Sequence, residues 1–465
     1  MVFSSLTFLF LFLPVLYLLT FLSPNRKWRN GILIVFSLLF YAWGEPVWIL
    51  AMLFSTGVNY VCALLIDRTD RPGLRKLCLI FGVIASICFL FYFKYAAFLV
   101  NTVTGLAGLP YTMKDPGLPI GISFYTFQIL TYTVDVYRRN AGVQKNPLRL
   151  LLYISCFPQL IAGPIVQYRD IEEQLEEREI SPEDFAEGMS RFVKGLGKKV
   201  LLANICGAAL EELPLGGAGA AMSLGGAWLA AFYYTMQIYF DFSAYSDMAI
   251  GLGRTLGFRY KENFNFPYVS GSITEFWRRW HISLGSFCRD YVYIPLGGNR
   301  RGTGRTILNM LIVWSLTGLW HGASWNFVIW GAYYGLLLIT ERFVLARFLD
   351  HVPHFFRAVL TFLIVTIGWV IFYYTDFPAL SEHLRALFGI GVPILDPSTV
   401  SVVRKYTVYP LLALFLSFPL VPWLGEKLPR RLRSVLRPIL VLAIFTCSVM
   451  FLVGDSYNPF IYFRF

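Results

Sequence analysis

The chain has 465 residues, of which 56% are hydrophobic, 17% aromatic and 15% charged, and its formal net charge is +12. Soluble proteins average about 25% charged residues, so this composition excludes an ordinary soluble fold. The Lys and Arg residues lie in short loops between apolar runs, which is typical of positive-inside topology and not of a nucleic-acid-binding surface.

Apolar runs of roughly 20 residues, each long enough to cross a bilayer as a helix, recur along the chain. They predict an all-α polytopic membrane protein with about 11 to 13 transmembrane or half-membrane helices. The predicted spans are 6–22, 31–44, 47–66, 77–101, 118–134, 149–168, 192–210, 226–250, 307–318, 323–341, 357–375, 407–422 and 436–453. Basic loops at 26–29, 68–76 and 138–139 are expected on the cytoplasmic side, which places the N-terminus on the other side. The first run lacks the flanks of a cleaved signal and is interpreted as a retained helix.

Two connecting segments are longer than the others. Residues 167–199 mix acidic and basic side chains at helical spacing, with a helix start at Ser181, and predict an amphipathic hairpin on the cytoplasmic side. Residues 253–305 are rich in aromatic residues, arginine and glycine. Neither segment is long enough for a soluble domain of useful size.

Two predicted spans contain polar or helix-breaking residues. GISFYTFQILTYTVDVYRR carries Gln128, and CFPQLIAGPI carries Gln159 between two prolines. Such features survive in a membrane only where they line a cavity or pack on protein. Both segments are therefore candidates for the wall of one chamber.

The segment YYTMQIYFDFSAYSDMAIG places Asp241 within an apolar run, with Gln237 and Tyr245 one turn away on either side. A buried carboxylate needs partners. Asp241 is expected either to orient a catalytic imidazole or to pair with an arginine of the next loop, and structural pairing is the favoured reading.

The segment FWRRWHISLGSFCRDYVYIPLGGNRRG contains the first of two histidines of interest, His281. At helical spacing, one side of this segment carries Trp277, His281, Gly285 and Cys288. An interfacial or half-buried helix fits best, with neighbouring arginines able to reach phosphates. Taken alone, His281 is better explained by a structural role.

The glycine turn that follows ends in Arg300 and Arg301. It could hold a phosphate of a nucleotide-like donor, although an ordinary positive-inside loop explains it equally well. It is not a P-loop, because no G-K-[ST] follows at the required spacing.

From residue 307 to 340 the chain contains no Asp, Glu, Lys or Arg, and His321 is its only group that ionises near neutral pH. On one helix, His321 would share a polar and aromatic face with Trp314, Thr317, Ser324 and Trp325, and Trp320 is its neighbour in sequence. A histidine here is either a hydrogen-bonding contact between helices or a base for a hydroxyl. Histidines, cysteines and carboxylates form no metal-ligand motif, so no metal is expected.

With both histidines in view, the chain resembles the membrane-bound O-acyltransferase family, and within it the bacterial alginate O-acetyltransferase branch. The matching text runs from residue 1 to about 340 and includes LLFYAWGEP, PIGISFYTFQ, FPQLIAGPIVQY, YFDFSAYSDMAIGLG, NFNFPY, FWRRWHISLGSFCRDYVYIPLGGNRRG and LTGLWHGASWNFVIWG. The paired WRRWHISL and GLWHGASW motifs are far more specific than a lone histidine.

The resemblance implies His321 as the catalytic residue and His281 as its partner, in helices arranged around a central funnel or tunnel. It implies one integral membrane acyltransferase domain over 1–465, with N-terminal helices to 134, a catalytic core over 135–340 and C-terminal helices from 341. No cofactor is expected to stay bound. Acetyl-CoA or another acyl thioester is the expected donor, and a periplasmic acetyltransferase and a polysaccharide are the expected partners at a bacterial inner membrane.

Three readings stay open at this point. One is acetyl transfer toward a polysaccharide such as alginate. The second keeps the enzyme class and changes the acceptor to peptidoglycan, cellulose, a teichoic acid carrier or a lipid. The third is a polytopic transporter in which His321 relays protons.

Overall fold

The computed structural model describes residues 1–215, 222–454 and 460–461. Within these ranges the chain is helical and contains no β-strand, which confirms the predicted all-α class. It divides into two compact units, one of 1–192 with 245–261 and the other of 193–244 with 262–465. The single domain expected from the sequence stays a prediction.

Twenty-two α-helices follow one another along the described chain. They are α1 Leu13–Leu22, α2 Arg26–Ala42, α3 Ile49–Arg68, α4 Pro72–Leu106, α5 Ile122–Arg138, α6 Pro147–Ser155, α7 Phe157–Leu160, α8 Tyr168–Glu176, α9 Pro182–Gly197, α10 Asn204–Glu211, α11 Leu224–Thr255, α12 Ile273–Arg279, α13 Ile282–Phe287, α14 Thr303–His321, α15 Trp325–Thr340, α16 Ala346–Leu349, α17 His354–Tyr373, α18 Phe377–Leu387, α19 Pro397–Tyr406, α20 Val408–Leu416, α21 Leu420–Lys427 and α22 Arg430–Gly454. π-helical turns occupy Phe8–Phe12, Lys198–Ala203, Cys288–Tyr293 and Glu341–Leu345, and a 3₁₀ turn occupies Pro267–Val269.

Five of the described helices are long and apolar enough to cross a membrane, which confirms the polytopic prediction. They are Ile49–Arg68, Pro72–Leu106, Trp325–Leu349, His354–Tyr373 and Arg430–Gly454. The pair Pro397–Tyr406 and Val408–Leu416, bent by 63°, makes a sixth if it is one broken span. The other predicted spans coincide with shorter, broken or more polar helices, so the total of 11 to 13 stays a prediction.

In the first unit, a buried amide ties three helices together. Asn59 on α3 donates to Ser86 Oγ on α4 at 2.8 Å and accepts a hydrogen bond from Thr133 Oγ1 on α5, also at 2.8 Å. Gly82 allows this approach, because a Cβ there would lie 2.7 Å from Asn59 Oδ1. Buried polar groups that satisfy one another in this way specify how apolar helices pack.

The break predicted within the sixth span, 149–168, is present between α6 and α7. The irregular backbone from 161 to 167 is buried throughout, and the Phe157 N–H donates to Ser37 Oγ at 3.1 Å. The broken backbone therefore packs on protein, as the prolines in the sequence predicted.

Two helices, α8 and α9, occupy the segment 167–199, for which the sequence predicts an amphipathic hairpin. Ser181 accepts a hydrogen bond from the Asp184 N–H at 3.0 Å and starts α9. Ion pairs join α9 to the end of α11: Asp184 to Arg254 and Arg191 to Asp247, each at 2.8 Å.

In the second unit, α14 and α15 form a closely packed antiparallel hairpin. A Cβ at Gly318 would lie 2.3 Å from the Phe327 carbonyl oxygen, and one at Gly331 would lie 2.5 Å from that of Trp314. Small residues at these points let the two backbones approach, as in other membrane helix pairs. The hairpin holds the end of α14 against aromatic side chains of α15 and α17.

Candidate active site

His321 is the last residue of α14 and is buried. Its ring lies 4.9 Å from Trp320, 5.0 Å from Trp330 and 5.2 Å from Phe372, measured between centroids. These aromatic rings come from three helices, so the space beside the imidazole depends on how α14, α15 and α17 pack.

The single helical face predicted around His321 is wrong for its last two members. The backbone is extended at Gly322, and Ser324 precedes a new helix that begins at Trp325. Trp325 is half exposed and Ser324 forms the N-terminal boundary of α15, so neither continues the face of His321. A Cβ at residue 322 would lie 2.2 Å from the Phe327 ring, so glycine is the residue that fits at this turn.

His281 lies at a break between α12 and α13, not within the predicted continuous helix. Trp280 is extended, and His281 itself has φ 46° and ψ 54°, in the left-handed region. A residue with a Cβ is strained in this conformation, and such strain is concentrated at functional sites. The surrounding hydrogen bonds hold it in place.

Asn263 determines which nitrogen of His281 carries the proton. Its Oδ1 accepts from the Ser283 N–H at 3.1 Å and from Ser283 Oγ at 2.9 Å, so this atom is the amide oxygen. His281 Nδ1 lies 3.1 Å from the same oxygen and must therefore donate a proton to it. Nε2 is then the nitrogen that carries the lone pair.

The neutral form of His281 is favoured by its surroundings. Burial lowers the pKa of His281 to about 3. Its ring lies edge-on to Phe242 at 4.7 Å and 5.7 Å from Trp320. Trp320 therefore contacts both imidazoles, and the two histidines meet the same aromatic side chain from different segments.

A cavity of about 790 Å³ opens beside His281 in the second unit. Its wall includes Trp277, His281, Gly285 and Cys288, the four residues that the sequence placed on one helical side. The helix expected there is broken, but the left-handed turn at His281 keeps all four on the same cavity. The predicted group is found, although for a different geometric reason.

The opposite wall of the cavity comes from α14. Trp314 and Thr317 line it, and Thr317 is one turn before His321. The Trp277 ring, 4.8 Å from Trp314 and 5.5 Å from Trp330, links this wall to the aromatic rings around His321. His321 itself lies behind these rings and is not part of the wall.

Charged residues line other parts of the cavity, and the positive charges predominate. They are Arg278, Arg289, Arg342, Arg357, Glu341 and Asp350. Glu341 has a structural task, because its carboxylate accepts the Ile273 and Thr274 N–H groups at 2.6 and 3.1 Å and so caps α12. The arginines give the cavity the charge that an anionic ligand needs.

Arg300 and Arg301, predicted as candidates for a donor phosphate, are exposed and lie outside the cavity wall, whereas their neighbour Asn299 lines it. Their turn is held by α14, because Asn309 donates to the Gly298 carbonyl at 2.9 Å. A phosphate role for the two arginines stays a prediction.

Asp241 forms an ion pair with Lys199, with Nζ and Oδ1 2.5 Å apart and both side chains at most 3% exposed. Its Oδ2 accepts the Ile461 N–H at 2.8 Å. The structural pairing favoured from the sequence is therefore present, but the partner is a lysine of the preceding π-helical turn and not an arginine of the next loop. Gln237 is also buried, one turn earlier on α11.

Tyr245, on the other side of Asp241 in the sequence, belongs to the first unit, where its ring stacks on Phe3 at 4.6 Å. In the same unit, Gln128 and Gln159 each bond Tyr153: the main-chain carbonyl of Gln128 accepts from the Tyr153 hydroxyl at 3.3 Å, and Gln159 Nε2 donates to the main-chain carbonyl of Tyr153 at 2.5 Å. A common chamber lined by the two glutamines stays a prediction.

Sequence reasoning missed Asn263, Trp330, Phe372 and Glu341 as parts of this site. Asn263 stands in the NFNFPY motif and Trp330 in the LTGLWHGASWNFVIWG motif, which were noted only as matching text. Phe372 and Glu341 lie in or beside apolar helices and gave no local signal, because their importance comes from contacts across helices.

Fold and site together define a polytopic helical membrane protein in which buried His281 lines a cationic cavity and buried His321 lies one turn beyond Thr317 of the cavity wall. The profile of the membrane-bound O-acyltransferase family matches residues 138–377. The chain is 44% identical over 396 residues to the probable alginate O-acetylase AlgI of Pseudomonas aeruginosa, covering 84% of this chain and 75% of that protein. It is 38% identical to the protein of the same name from Azotobacter vinelandii over 100% of both chains. It is 32% identical to the peptidoglycan O-acetyltransferase of Helicobacter pylori over 84% and 80%.

This chain belongs to the membrane-bound O-acyltransferase family. The resemblance inferred from the two histidine motifs is thereby confirmed, and the protein is an O-acyltransferase.

Proposed function

We propose that this protein transfers an acetyl group from acetyl-CoA, bound on the cytoplasmic side, toward an extracytoplasmic polysaccharide such as alginate. The names of the Pseudomonas and Azotobacter relatives support the acetyl group and the acceptor. The observation that carries the proposal is the cationic cavity at His281, whose inner wall reaches the turn of α14 that ends in His321.

In the proposed reaction, His321 is the general base. It removes the proton from an acceptor hydroxyl as the oxygen attacks the thioester carbonyl, the C–O bond forms and the C–S bond breaks. The proton then passes to the leaving thiolate, which gives free CoA and the acetyl ester. A transient acetyl-imidazole at His321 is the close alternative. His281 orients the reacting groups through its Nε2 lone pair.

The arginines of the cavity are proposed to bind the phosphates of CoA. Arg278, Arg289, Arg342 and Arg357 line a space large enough for part of such a molecule. Guanidinium groups bind phosphate through paired hydrogen bonds. Trp277 and Trp314 line this cavity and would then form the apolar wall beside the pantetheine arm, with Trp320 next to His321 beyond it.

Gln128, Gln159 and Tyr245 of the first unit are proposed to contact the substrate within that unit. Gln237 and Asp241 are proposed as supporting residues within the second unit. Within the described ranges, the side-chain amide of Gln128 is buried and makes no hydrogen bond. A buried amide left in this state is costly, which favours a polar ligand or water beside it. A periplasmic acetyltransferase is the proposed next carrier, and a bacterial inner membrane with the N-terminus outside is the proposed location.

A first experiment measures acetyl-CoA consumption by purified protein in detergent, where no membrane gradient exists. Because positioned acid-base catalysis contributes about 10² to 10⁴-fold, His321→Ala should lose activity by that factor. His351→Ala is the control, since His351 is exposed. Full activity of a folded His321→Ala variant would rule out the base, and a requirement for a gradient would favour the transporter reading.

A second experiment tests the cavity arginines. Arg342→Gln with Arg357→Gln should raise KM for acetyl-CoA but leave KM for S-acetylpantetheine, which lacks the nucleotide phosphates, nearly unchanged. Equal effects on both thioesters would contradict phosphate binding at this cavity. Arg300→Gln with Arg301→Gln, measured in parallel, tests the glycine turn.

A third experiment identifies the acceptor. Mass spectrometry should show that extracellular polysaccharide from cells without the intact protein carries less acetate than polysaccharide from cells that have it. The Helicobacter relative makes peptidoglycan the second candidate, so peptidoglycan acetate is measured in the same cells. Unchanged acetate in the polysaccharide would remove the polysaccharide acceptor without affecting the acyl-transfer chemistry.

A further inference from the structure

The segment from 420 to 437, here called the interfacial segment, joins exposed apolar and cationic side chains. It contains α21 and the first two turns of α22. On α21, Val421, Trp423 and Leu424 are each about half exposed. Exposed apolar side chains on a short helix beside a membrane span are typical of a helix that lies at the membrane surface.

Arginines follow at the start of α22. Arg430, Arg433 and Arg437 are spaced by three and four residues, so they form one stripe, and Arg431 lies beside it. All four are exposed, and none forms an ion pair with another side chain of the described chain. With Lys427, the segment has five cations against the single acid Glu426.

The length of α22 places these arginines at the level of the lipid head groups. The helix has 25 residues, and its most apolar window of 18 residues is only 6% buried within the protein, so it faces lipid. Arg430, Arg431 and Arg433 precede the apolar run of the helix and Arg437 lies at its start. These turns extend roughly 10 Å along the axis, comparable to the head-group layer.

Trp423 strengthens this placement. Lys427 Nζ lies 3.6 Å from the centre of the Trp423 ring, a cation–π contact that holds the ring and the ammonium group together. Tryptophan prefers the boundary between hydrocarbon and head groups. The apolar side chains of the segment thus face the hydrocarbon layer of one membrane leaflet, and its cations face the head-group layer of the same leaflet.

We propose that the interfacial segment binds the head groups of anionic phospholipids. A row of guanidinium groups matches phosphate oxygens through paired, charge-assisted hydrogen bonds, and the neighbouring apolar side chains contact the acyl chains. This surface is separate from the acyl-transfer cavity, and its role does not depend on the proposed function.

The test uses purified full-length protein in nanodiscs of phosphatidylcholine alone or with phosphatidylglycerol, with bound lipid counted by native mass spectrometry. The wild type should retain phosphatidylglycerol preferentially. The triple variant Arg430→Gln, Arg433→Gln, Arg437→Gln should lose this preference on the order of a hundredfold, because each surface cation contributes roughly fivefold. Triple substitution by Lys should keep most of it.

A matched control removes three exposed cations elsewhere: Arg68→Gln, Arg71→Gln and Lys76→Gln. The proposal requires that this variant keep its phosphatidylglycerol preference. Equal loss in both triple variants would show that only net charge matters, and an unchanged preference in the Arg430, Arg433 and Arg437 variant would overturn the proposal. Thermal unfolding in phosphatidylcholine nanodiscs checks that the variants are folded.

Discussion

Lys199 and Asp241 form a buried ion pair in the second unit, and the Ile461 N–H completes the hydrogen bonding of the carboxylate. The lysine lies on the π-helical turn before α10 and the aspartate on α11. Three segments that are far apart in the chain are therefore joined at one carboxylate.

Removing one member of this pair should destabilise the protein by about 3 to 5 kcal/mol, because the other charge is left buried and alone. Lys199→Met and Asp241→Leu are each expected to lower the thermal unfolding temperature in detergent, and the double variant should recover much of the loss. If Asp241→Leu abolished acyl transfer without changing stability, Asp241 would be a site residue and not a structural one.

The Ile461 contact can be tested separately, since proline has no N–H to donate. Ile461→Pro should lower the unfolding temperature more than Ile461→Ala, which keeps the donor. Equal effects of the two substitutions would mean that the side chain, and not the hydrogen bond to Asp241, stabilises this contact.

Asn263 is expected to act as a positioning residue for His281. Asn263→Ala removes the acceptor that holds Nδ1–H and should lower kcat by about 100-fold through misplacement of the imidazole. Asn263→Asp keeps an acceptor but adds a negative charge, which raises the pKa of His281. The acid limb of the pH–rate profile should then move to higher pH, and an unmoved limb would contradict this role.

Phe372 should limit the size of the transferred acyl group, because its ring lies 5.2 Å from that of His321. Phe372→Ala is expected to lower the preference for acetyl-CoA over propionyl-CoA roughly tenfold, the usual effect of one methylene in a tight pocket. Phe355→Ala, an exposed position on the same helix, is the control. An unchanged ratio of kcat/KM values would place the acyl pocket elsewhere.

The buried imidazole of His383 should make the folded protein less stable in mild acid. It is buried, its Nδ1 lies 2.9 Å from the Tyr374 hydroxyl and its Nε2 lies 3.0 Å from the Ala227 carbonyl oxygen. Burial lowers the pKa of His383 from 6.5 to about 4. Below pH 6.5 the unfolded chain binds a proton that the folded chain does not, so stability falls between pH 6.5 and 4.

The measurement compares unfolding temperatures at pH 7 and pH 5. His383→Gln should show a smaller decrease than the wild type, with the remainder due in part to His281. His351→Gln, at an exposed position, should behave like the wild type. If the unfolding temperature of the His383→Gln variant fell between pH 7 and pH 5 as much as that of the wild type, the His383 imidazole would not be the responsible group.

Local patterns in the sequence were sufficient for much of this structure. The breaks near Gln159, the helix start at Ser181 and the long apolar helices α4 and α22 follow from residue types alone. The face drawn through His321, Ser324 and Trp325 failed, because spacing assumes an unbroken helix and the chain turns at Gly322.

The sequence by itself determined that the protein is a helical membrane protein with two histidine motifs, since apolar length and motif spacing are local properties. Only the tertiary structure decided that Asn263 determines which ring nitrogen of His281 carries the proton, that Lys199 pairs with Asp241, and that α15 and α17 enclose His321. These relationships join residues far apart in the chain, and they depend on how helices pack, which no local pattern encodes.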